Sequence, residues 1–453
     1  MKDKKIDKIF LGKLMTLVLP IAFQQFMLGL VSASDAFMLG GLTQDALSAV
    51  SLASQITFVQ NLFLAAVTIG LSMFAAQYWG KGDVLSFERI FGYVMRITII
   101  VSIAFAVMAF CIPDMLMHIF TSDTILIENG AIYLRAVSAS YLLTGISQIY
   151  LCTLKNSGKA FKSSLISAVS VVLNIFLNAI LIFGLFGAPR LEIAGAALAT
   201  VIAKIIEVLW CMIETAKENH VKLRWNNFIK TDKNQISAYW KYTLPILGNE
   251  IVWGVGFTMY SVIMGHLGSD AVAANSIANI VKNLVACFCL GLGSGGGIIV
   301  GNELGAGRLD TAKDYGGKLC RMSIVCGIFS GVLLLALSPL ILSVSNLSEQ
   351  ANIYLKWMLV MCSYYLIGKS VNSTTIAGIF CSGGDSKFGF LCDAVTMWCV
   401  TVPLGLIAAF ILKQPVLLVY FIVNIDESIK LPVVYKHYKK YKWVRNLTTK
   451  EEL

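Results

Sequence analysis

Apolar residues fall in stretches of 20 or more along the chain, interrupted by charged or glycine-rich punctuation. A bilayer core ~30 Å thick takes about 20 apolar residues per helical crossing. The runs predict twelve transmembrane helices. Six lie near residues 14–39, 48–78, 90–112, 130–153, 161–186 and 192–213, and six near 239–265, 272–300, 315–341, 351–380, 388–412 and 415–434. One shift in composition divides the sets, the polar stretch from Glu214 to Gln235 with Lys217, Lys222, Arg224, Lys230 and Lys233. The expected organisation is a first lobe at 1–213, a linker at 214–238 and a second lobe at 239–453. The fold class is an all-α polytopic membrane protein.

Composition sharpens this. At 453 residues the chain has the length of about three soluble domains, but 57% hydrophobic residues, 14% charged residues and a mean hydropathy of +0.75 require a surface that faces lipid. Secreted, disordered, fibrous and nucleic-acid-binding classes are excluded together. The eleven cysteines lie in or beside apolar stretches, without CxxC pairs or histidines at zinc spacing, and read as small buried apolar residues. The first apolar stretch, from Leu14, is too long for a cleavable signal peptide and lacks a small-residue cleavage pattern.

The net charge of +10 gains its meaning from position. Of the 36 Lys and Arg, 26 fall in alternate loops and termini on one side of the membrane, whereas the other side holds Arg190 and Lys413. The positive-inside rule places both termini and the linker in the cytoplasm, in a cell (inner) membrane. The basic excess then reports orientation and contact with anionic headgroups, and calls for no nucleic-acid partner.

The two sets of helices are copies. At an offset of 225 residues, LPIAFQQFMLGLVSASDAFMLGGLTQDALSAVSLA from Leu19 aligns without a gap on LPILGNEIVWGVGFTMYSVIMGHLGSDAVAANSIA from Leu244, with 11 of 35 positions identical against about three expected from composition. The same offset pairs QYWGKGD with NELGAGR, matching Gly80 and Gly82 to Gly305 and Gly307, and Arg96 to Arg321. Six crossings per copy is an even number, so the two six-helix repeats are parallel and related by an axis along the membrane normal. A duplicated bundle with a cavity between its halves suits alternating access.

Ionisable side chains inside the spans are the candidates for chemistry, because each costs ~2.5–3.5 kcal/mol at a helix centre on insertion scales. Asp35 stands on the first span with Gln24 and Gln25 about three turns away, and needs a cavity or an exchangeable proton. Asn174 and Asn178 lie four apart on one face of the fifth span and can turn toward it, with Tyr141 and Thr200 as further members; helix–helix bonding by asparagine is the alternative. In the second copy Asp35 aligns with Tyr260 and Gln25 with Glu250, so the lobes have diverged. Glu250 is followed at helical spacing by Trp253, Phe257 and Tyr260, which either pack a core or wall a cation-accepting site. Asn275, Asn279 and Asn283 form a polar stripe that lines the cavity or bonds helices. Asp393, Asp426 and Glu427, set against Lys282, Lys369 and Lys430, form a secondary acidic and basic network that pairing at i, i+3 and i, i+4 accounts for in part. Lys204 and Glu207 read as another such pair. The GLGSGG run matches GxGxxG through Gly291, Gly293 and Gly296, but without the strand a dinucleotide site requires, and reads as close packing or a hinge. With no Walker A sequence and no catalytic or metal-binding histidine, the chain is expected to be no enzyme and to need no cofactor beyond a coupling ion.

The order of these features resembles the multidrug and toxic compound extrusion (MATE) family, bacterial type. The resemblance rests on the 6+6 repeat, the opening VSASDAFMLGGLTQDALSAVSLA, the QYWGKGD loop, NIFLNAILIFG, EIAGAALATVIAK and SGGDSKFGF, and covers nearly the whole chain. It implies a V-shaped pair of lobes that exports organic cations or other amphiphiles in exchange for protons or sodium ions. Asp35 matches the family's embedded acid on the first helix and Asn174 its span-five asparagine. Asn178 stands where some DinF-like members carry aspartate. Glu250 looks like the span-seven glutamate of NorM-like members, while their span-ten acid is absent from GKSVNST around Ser370. The expectation is a cation-coupled drug antiporter, active as a monomer, with Asp35, Asn174, Asn178 and Glu250 as ion-coupling residues. Gln25, Tyr141, Thr200, Trp253, Phe257, Tyr260 and Asn275 are the substrate-binding candidates. The rival readings are a flippase for a lipid-linked precursor, which should expose a basic cavity, and an uncoupled channel or receptor.

Overall fold

The computed structural model describes residues 2–40, 42–217, 221–223, 232–345 and 347–449, with the side chains of 2–7, 32, 33, 36, 37, 40 and 44 left out. Much of the linker, Arg224 and Lys230 included, lies outside the described residues. Among those described, every regular element is helical and there is no strand. In chain order the helices are α1 (Lys2–Gly40), α2 (Gln44–Lys81), α3 (Val84–Cys111), α4 (Pro113–His118), α5 (Thr124–Asn156), α6 (Ala160–Phe183), α7 (Glu192–Lys217) and α8 (Lys233–Gly265). Then follow α9 (Ser269–Val285), α10 (Cys287–Gly305), α11 (Leu309–Val344), α12 (Glu349–Asn372), α13 (Ser386–Ala394), α14 (Val402–Leu406), α15 (Val416–Val423) and α16 (Asp426–Tyr438).

Ten helical segments among the described residues are long and apolar enough to cross a membrane. The other two expected spans, near 351–380 and 415–434, are helical too, but Lys356, Lys369, Asp426, Glu427 and Lys430 interrupt their apolar runs. Exposure is inverted relative to a water-soluble protein. Ile100, Phe110, Val325 and Val332 are exposed, while Glu207, Lys282, Asp426, Glu427 and Lys430 are buried. That inversion is the signature of a hydrocarbon solvent, in which apolar surface costs nothing and a charge must find its partner inside the protein.

Local sequence explains the helix ends. Asp83 caps α3 by accepting from the Ser86 amide, Asp123 caps α5 through the Ile125 amide, and Ser348 caps α12 through the Ala351 amide. Pro20 and Pro245, which correspond in the repeat, both sit inside helices, as lipid-buried helices allow. Three π-helical stretches, Ser373–Phe380, Val395–Thr401 and Ile407–Ile411, interrupt the second half. The first begins directly after Asn372, and the second two residues after Asp393.

The chain forms two compact units. Unit 1 comprises Met1–Phe26, Ser72–Gly82 and Ser237–Leu453, and unit 2 comprises Met27–Leu71 and Asp83–Ile236. In unit 2, α5 packs against α3 and α7, and α6 against α7. In unit 1, α12 packs against α9 and α11, and α10 against α11 and the π-helical stretch Ser373–Phe380. The glycines of α10 allow the latter contact. A Cβ on Gly293 would lie 2.8 Å from Ser373 Oγ, and one on Gly291 2.7 Å from Ala22 Cβ. The GLGSGG run is therefore a close-packing surface.

Unit 1 also contains a reciprocal crossing. A Cβ on Gly80 would stand 2.0 Å from the Asn302 carbonyl oxygen, and a Cβ on Gly305 would stand 1.9 Å from that of Gln77. Gly80 and Gly305 are repeat partners, as are Gln77 and Asn302. The glycines that follow, Gly82 and Gly307, take the same left-handed turn at φ +78° and +74°. Over this crossing lies the C-terminal segment. Gln77 Nε2 donates to the carbonyls of Ser382 (2.8 Å) and Arg445 (3.2 Å), and its Oε1 accepts from the Leu447 amide (2.7 Å). Lys81 Nζ donates to the Thr448 carbonyl and Asn446 Nδ2 to that of Gly305. Trp443 and Leu447 are fully buried, so the stretch is an integral part of the unit despite its basic composition.

Candidate functional site

In unit 2 an apolar seam between α1 and α6 leads to the site. Met27, Leu28, Leu30 and Val31 pack with Ala168, Val171 and Ile175. One turn further along each helix, at the i+4 and i+3 positions that share a face, the seam becomes polar with Asp35 and Asn178. Asn178 Nδ2 donates to Asp35 Oδ1 at 2.6 Å and approaches Asn174 Oδ1 at 3.3 Å. Asn174 Nδ2 donates to Thr200 Oγ1 at 3.2 Å, and the Thr200 hydroxyl donates to the Ala196 carbonyl at 3.0 Å. Donation thus runs both ways from Asn178 on α6, to the carboxylate on α1 and through Asn174 to Thr200 on α7. Among the described residues Asp35 has no basic partner, and Asn178 Oδ1 is buried without a hydrogen bond.

Tyr133, on α5, was not among the sequence candidates. Its phenol bonds Ser54 and lies near enough to Asp35 to feel its charge, and its ring packs on the cluster of Leu39, Ala46, Val50, Ile182, Ile193 and Ala196 that fixes the end of α1. Tyr141 is not brought to Asp35. It is buried in the cluster of Ala53, Ile56, Leu134 and Val137, with its hydroxyl 3.4 Å from Thr57 Oγ1. Gln25 is half-buried near the end of the α1 portion assigned to unit 1.

Unit 1 gathers the second set. Lys430 Nζ lies 2.7 Å from Asp393 Oδ1, 3.3 Å from Asp426 Oδ2 and 3.9 Å from Glu427 Oε2. Pairing within α16 explains two of these contacts, but the shortest reaches across to α13. Glu427 also accepts from Lys369 Nζ (3.3 Å) and from Asn372 Nδ2 (2.7 Å). Glu250, on α8, is half-buried and feels the charges of Lys369 and Asp393. Trp253 stacks on Phe257 at 5.6 Å and lies beneath Lys369 Nζ at 5.8 Å, so part of the aromatic stripe faces a charge of this chain. Tyr260 bonds Thr401. Asn279 donates to Asn275 at 3.1 Å, whereas Asn283 is exposed.

Lys282, on the same helix as the Asn275 stripe, joins this group. It is buried, 4.7 Å over the Tyr365 ring, with Asn424 Oδ1 at 3.5 Å. Lys204 and Glu207 form their i, i+3 pair at 2.9 Å. Among the described residues, no group of three or more His, Cys, Asp or Glu side chains is arranged to hold a metal ion.

Comparison with known proteins places this arrangement. The chain is 25% identical over 417 residues to the probable multidrug resistance protein YoeA of Bacillus subtilis, covering 90% of this chain and 88% of that one. It is 20% identical over 442 residues to the uncharacterized transporter YisQ of the same organism, covering 98% and 96%. Its fold matches a crystal structure of an aspartate-to-asparagine mutant of the Vibrio cholerae MATE transporter VcmN, with a TM-score of 0.88 at 16% identity over 98% of this chain and 99% of that one. The MatE family profile matches residues 20–180 and again 245–407, one match in each copy of the repeat. The chain therefore belongs to the MatE family, whose members are membrane transporters and not enzymes.

Proposed function

We propose that the protein is a secondary antiporter of the cell membrane, with both termini in the cytoplasm, that exports organic cations or amphiphilic drugs in exchange for protons or sodium ions by alternating access. The observation that carries this reading is Asp35, a carboxylate on a membrane helix whose hydrogen-bond partner is Asn178 and which has no basic partner among the described residues. Such a group calls for an exchangeable cation. The names of the similar drug-resistance proteins point the same way.

Binding at Asp35 would be read by its neighbours. A proton or sodium ion removes the charge to which Asn178 donates, and the orphaned Asn178 Oδ1 is the natural acceptor for a protonated carboxyl or ligand for a metal cation. Turning that amide breaks the donation from α6 to α1 and alters the link through Asn174 to Thr200. An ion drives exchange only if it binds the two access states with different affinity, and a hydrogen-bonded chain that spans three helices is a means to such a difference. A membrane potential of 100 mV adds ~2.3 kcal/mol per net charge moved, enough for roughly a fifty-fold gradient.

The test is uptake of a fluorescent organic cation into proteoliposomes under a proton gradient alone and then a sodium gradient alone. One gradient should drive transport, and Asp35→Asn should abolish the coupled flux. Undiminished coupled exchange by Asp35→Asn would overturn the assignment.

A further inference from the structure

The carboxylates of unit 1 already hold a cation. Asp393 on α13 and Asp426 and Glu427 on α16 present oxygens at 2.7, 3.3 and 3.9 Å to one nitrogen, Lys430 Nζ. The Lys430 side chain is only 3% exposed and those of Asp426 and Glu427 are 6% and 4% exposed. A second ammonium, Lys369, shares Glu427, and Asn372 holds the other oxygen of that carboxylate. Three carboxylates and two ammonium groups, packed where water is scarce, leave Lys430 as the central positive charge.

We propose that Lys430 is a tethered counter-cation, which fills the position that a free coupling ion would otherwise take among these carboxylates and confines ion coupling to Asp35. This deepens the antiport reading and rests on it. An ammonium and a sodium ion carry the same charge and both seek carboxylate oxygens, so one excludes the other. The ammonium is anchored to α16 by its own side chain and is never released. It therefore offsets one of the carboxylate charges in every state of the cycle and carries no charge across the membrane. Unit 1 is left to recognise substrate through Glu250 and the aromatic face of Trp253 and Phe257, while unit 2 alone exchanges its ion.

Equilibrium binding of radioactive sodium to the purified full-length protein tests this without transport, and so separates it from the antiport reading. In an Asp35→Asn background no sodium should bind while Lys430 is present. Adding Lys430→Ala should create one site per chain, which methylammonium competes for. Sodium binding by Asp35→Asn that Asp393→Asn removes would overturn the proposal, as would a folded Asp35→Asn, Lys430→Ala protein that binds neither sodium nor methylammonium. A second measurement does not depend on the folding of the lysine variant. In reconstituted exchange, Asp393→Asn should leave the number of coupling ions per substrate at the wild-type value, whatever it does to the rate. A fall in that number would place a coupling ion among these acids and refute the role of Lys430. Coupled exchange that survives Asp35→Asn would instead refute the functional reading.

Discussion

Replacing Gly80 by alanine tests whether the reciprocal crossing of α2 and α10 is a closed gate. The added Cβ would lie 2.0 Å from the Asn302 carbonyl oxygen and 2.6 Å from its carbonyl carbon. Even a close carbon–oxygen contact needs about 3.3 Å, so the helix ends must part by about 1.3 Å. The obstacle is backbone, which cannot rotate out of the way as a side chain could. Forced overpacking of this kind costs about 1–3 kcal/mol. The penalty falls only on the state in which the ends touch, because alanine otherwise favours a helix over glycine. A shift of 1–3 kcal/mol multiplies the population of the separated state about 5- to 150-fold. The Leu447 amide, which donates to Gln77 Oε1 across this crossing, reports that population through hydrogen exchange followed by mass spectrometry. Its exchange should accelerate by that factor in Gly80→Ala and in Gly305→Ala. Gly82→Ala is the control, since its left-handed turn is strained by a side chain but has open space around it. Unchanged Leu447 exchange in a folded Gly80→Ala protein would refute the gate, as would equal acceleration in Gly82→Ala.

Trp443→Ala should lower stability by about 3–5 kcal/mol, read as a reduced melting temperature in detergent, because the fully buried ring packs on Gly316. Lys430→Met should cost a similar ~3–5 kcal/mol by leaving three carboxylates without their central ammonium, with methylammonium restoring part of the melting temperature. Thr200→Val removes the acceptor of Asn174 and should weaken ion-dependent exchange by about 5- to 150-fold in apparent ion affinity, the equivalent of ~1–3 kcal/mol for an unsatisfied buried donor. Tyr141→Phe, which removes only a long contact to Thr57, should leave that affinity within about twofold.

The candidate site was legible in the sequence where its chemistry was local. Asn174 and Asn178 share a face by spacing alone, and an acid in an apolar run marks itself. The duplication was equally plain, because alignment requires no knowledge of packing. Tyr133 stayed hidden, since one tyrosine among many apolar neighbours carries no sign of which face meets Asp35; only the packing of α5 against the end of α1 distinguishes it from Tyr141. The spacing of Asp426, Glu427 and Lys430 suggested pairing along one helix, but the strongest partner, Asp393, comes from another. The C-terminal stretch shows the same limit. Its six Lys and Arg dominate the composition, yet Trp443 and Leu447, four residues apart, decide where it lies. The grouping of 1–26 and 72–82 with the second half is a tertiary property that no local pattern encodes.

The crossing at Gly80 and Gly305 also has the symmetry of a two-fold interface. In a symmetric dimer a residue i touches j of its twin while j touches the twin's i. Gln77 meets Gly305 and Asn302 meets Gly80, which is that relation written within one polypeptide. The contact has the form of a self-complementary interface between the two copies of the six-helix repeat. Elsewhere the halves differ, and Asp35 and Glu250 stand at positions where they do. The glycines cannot differ in the same way, because each has to admit the backbone of the other copy.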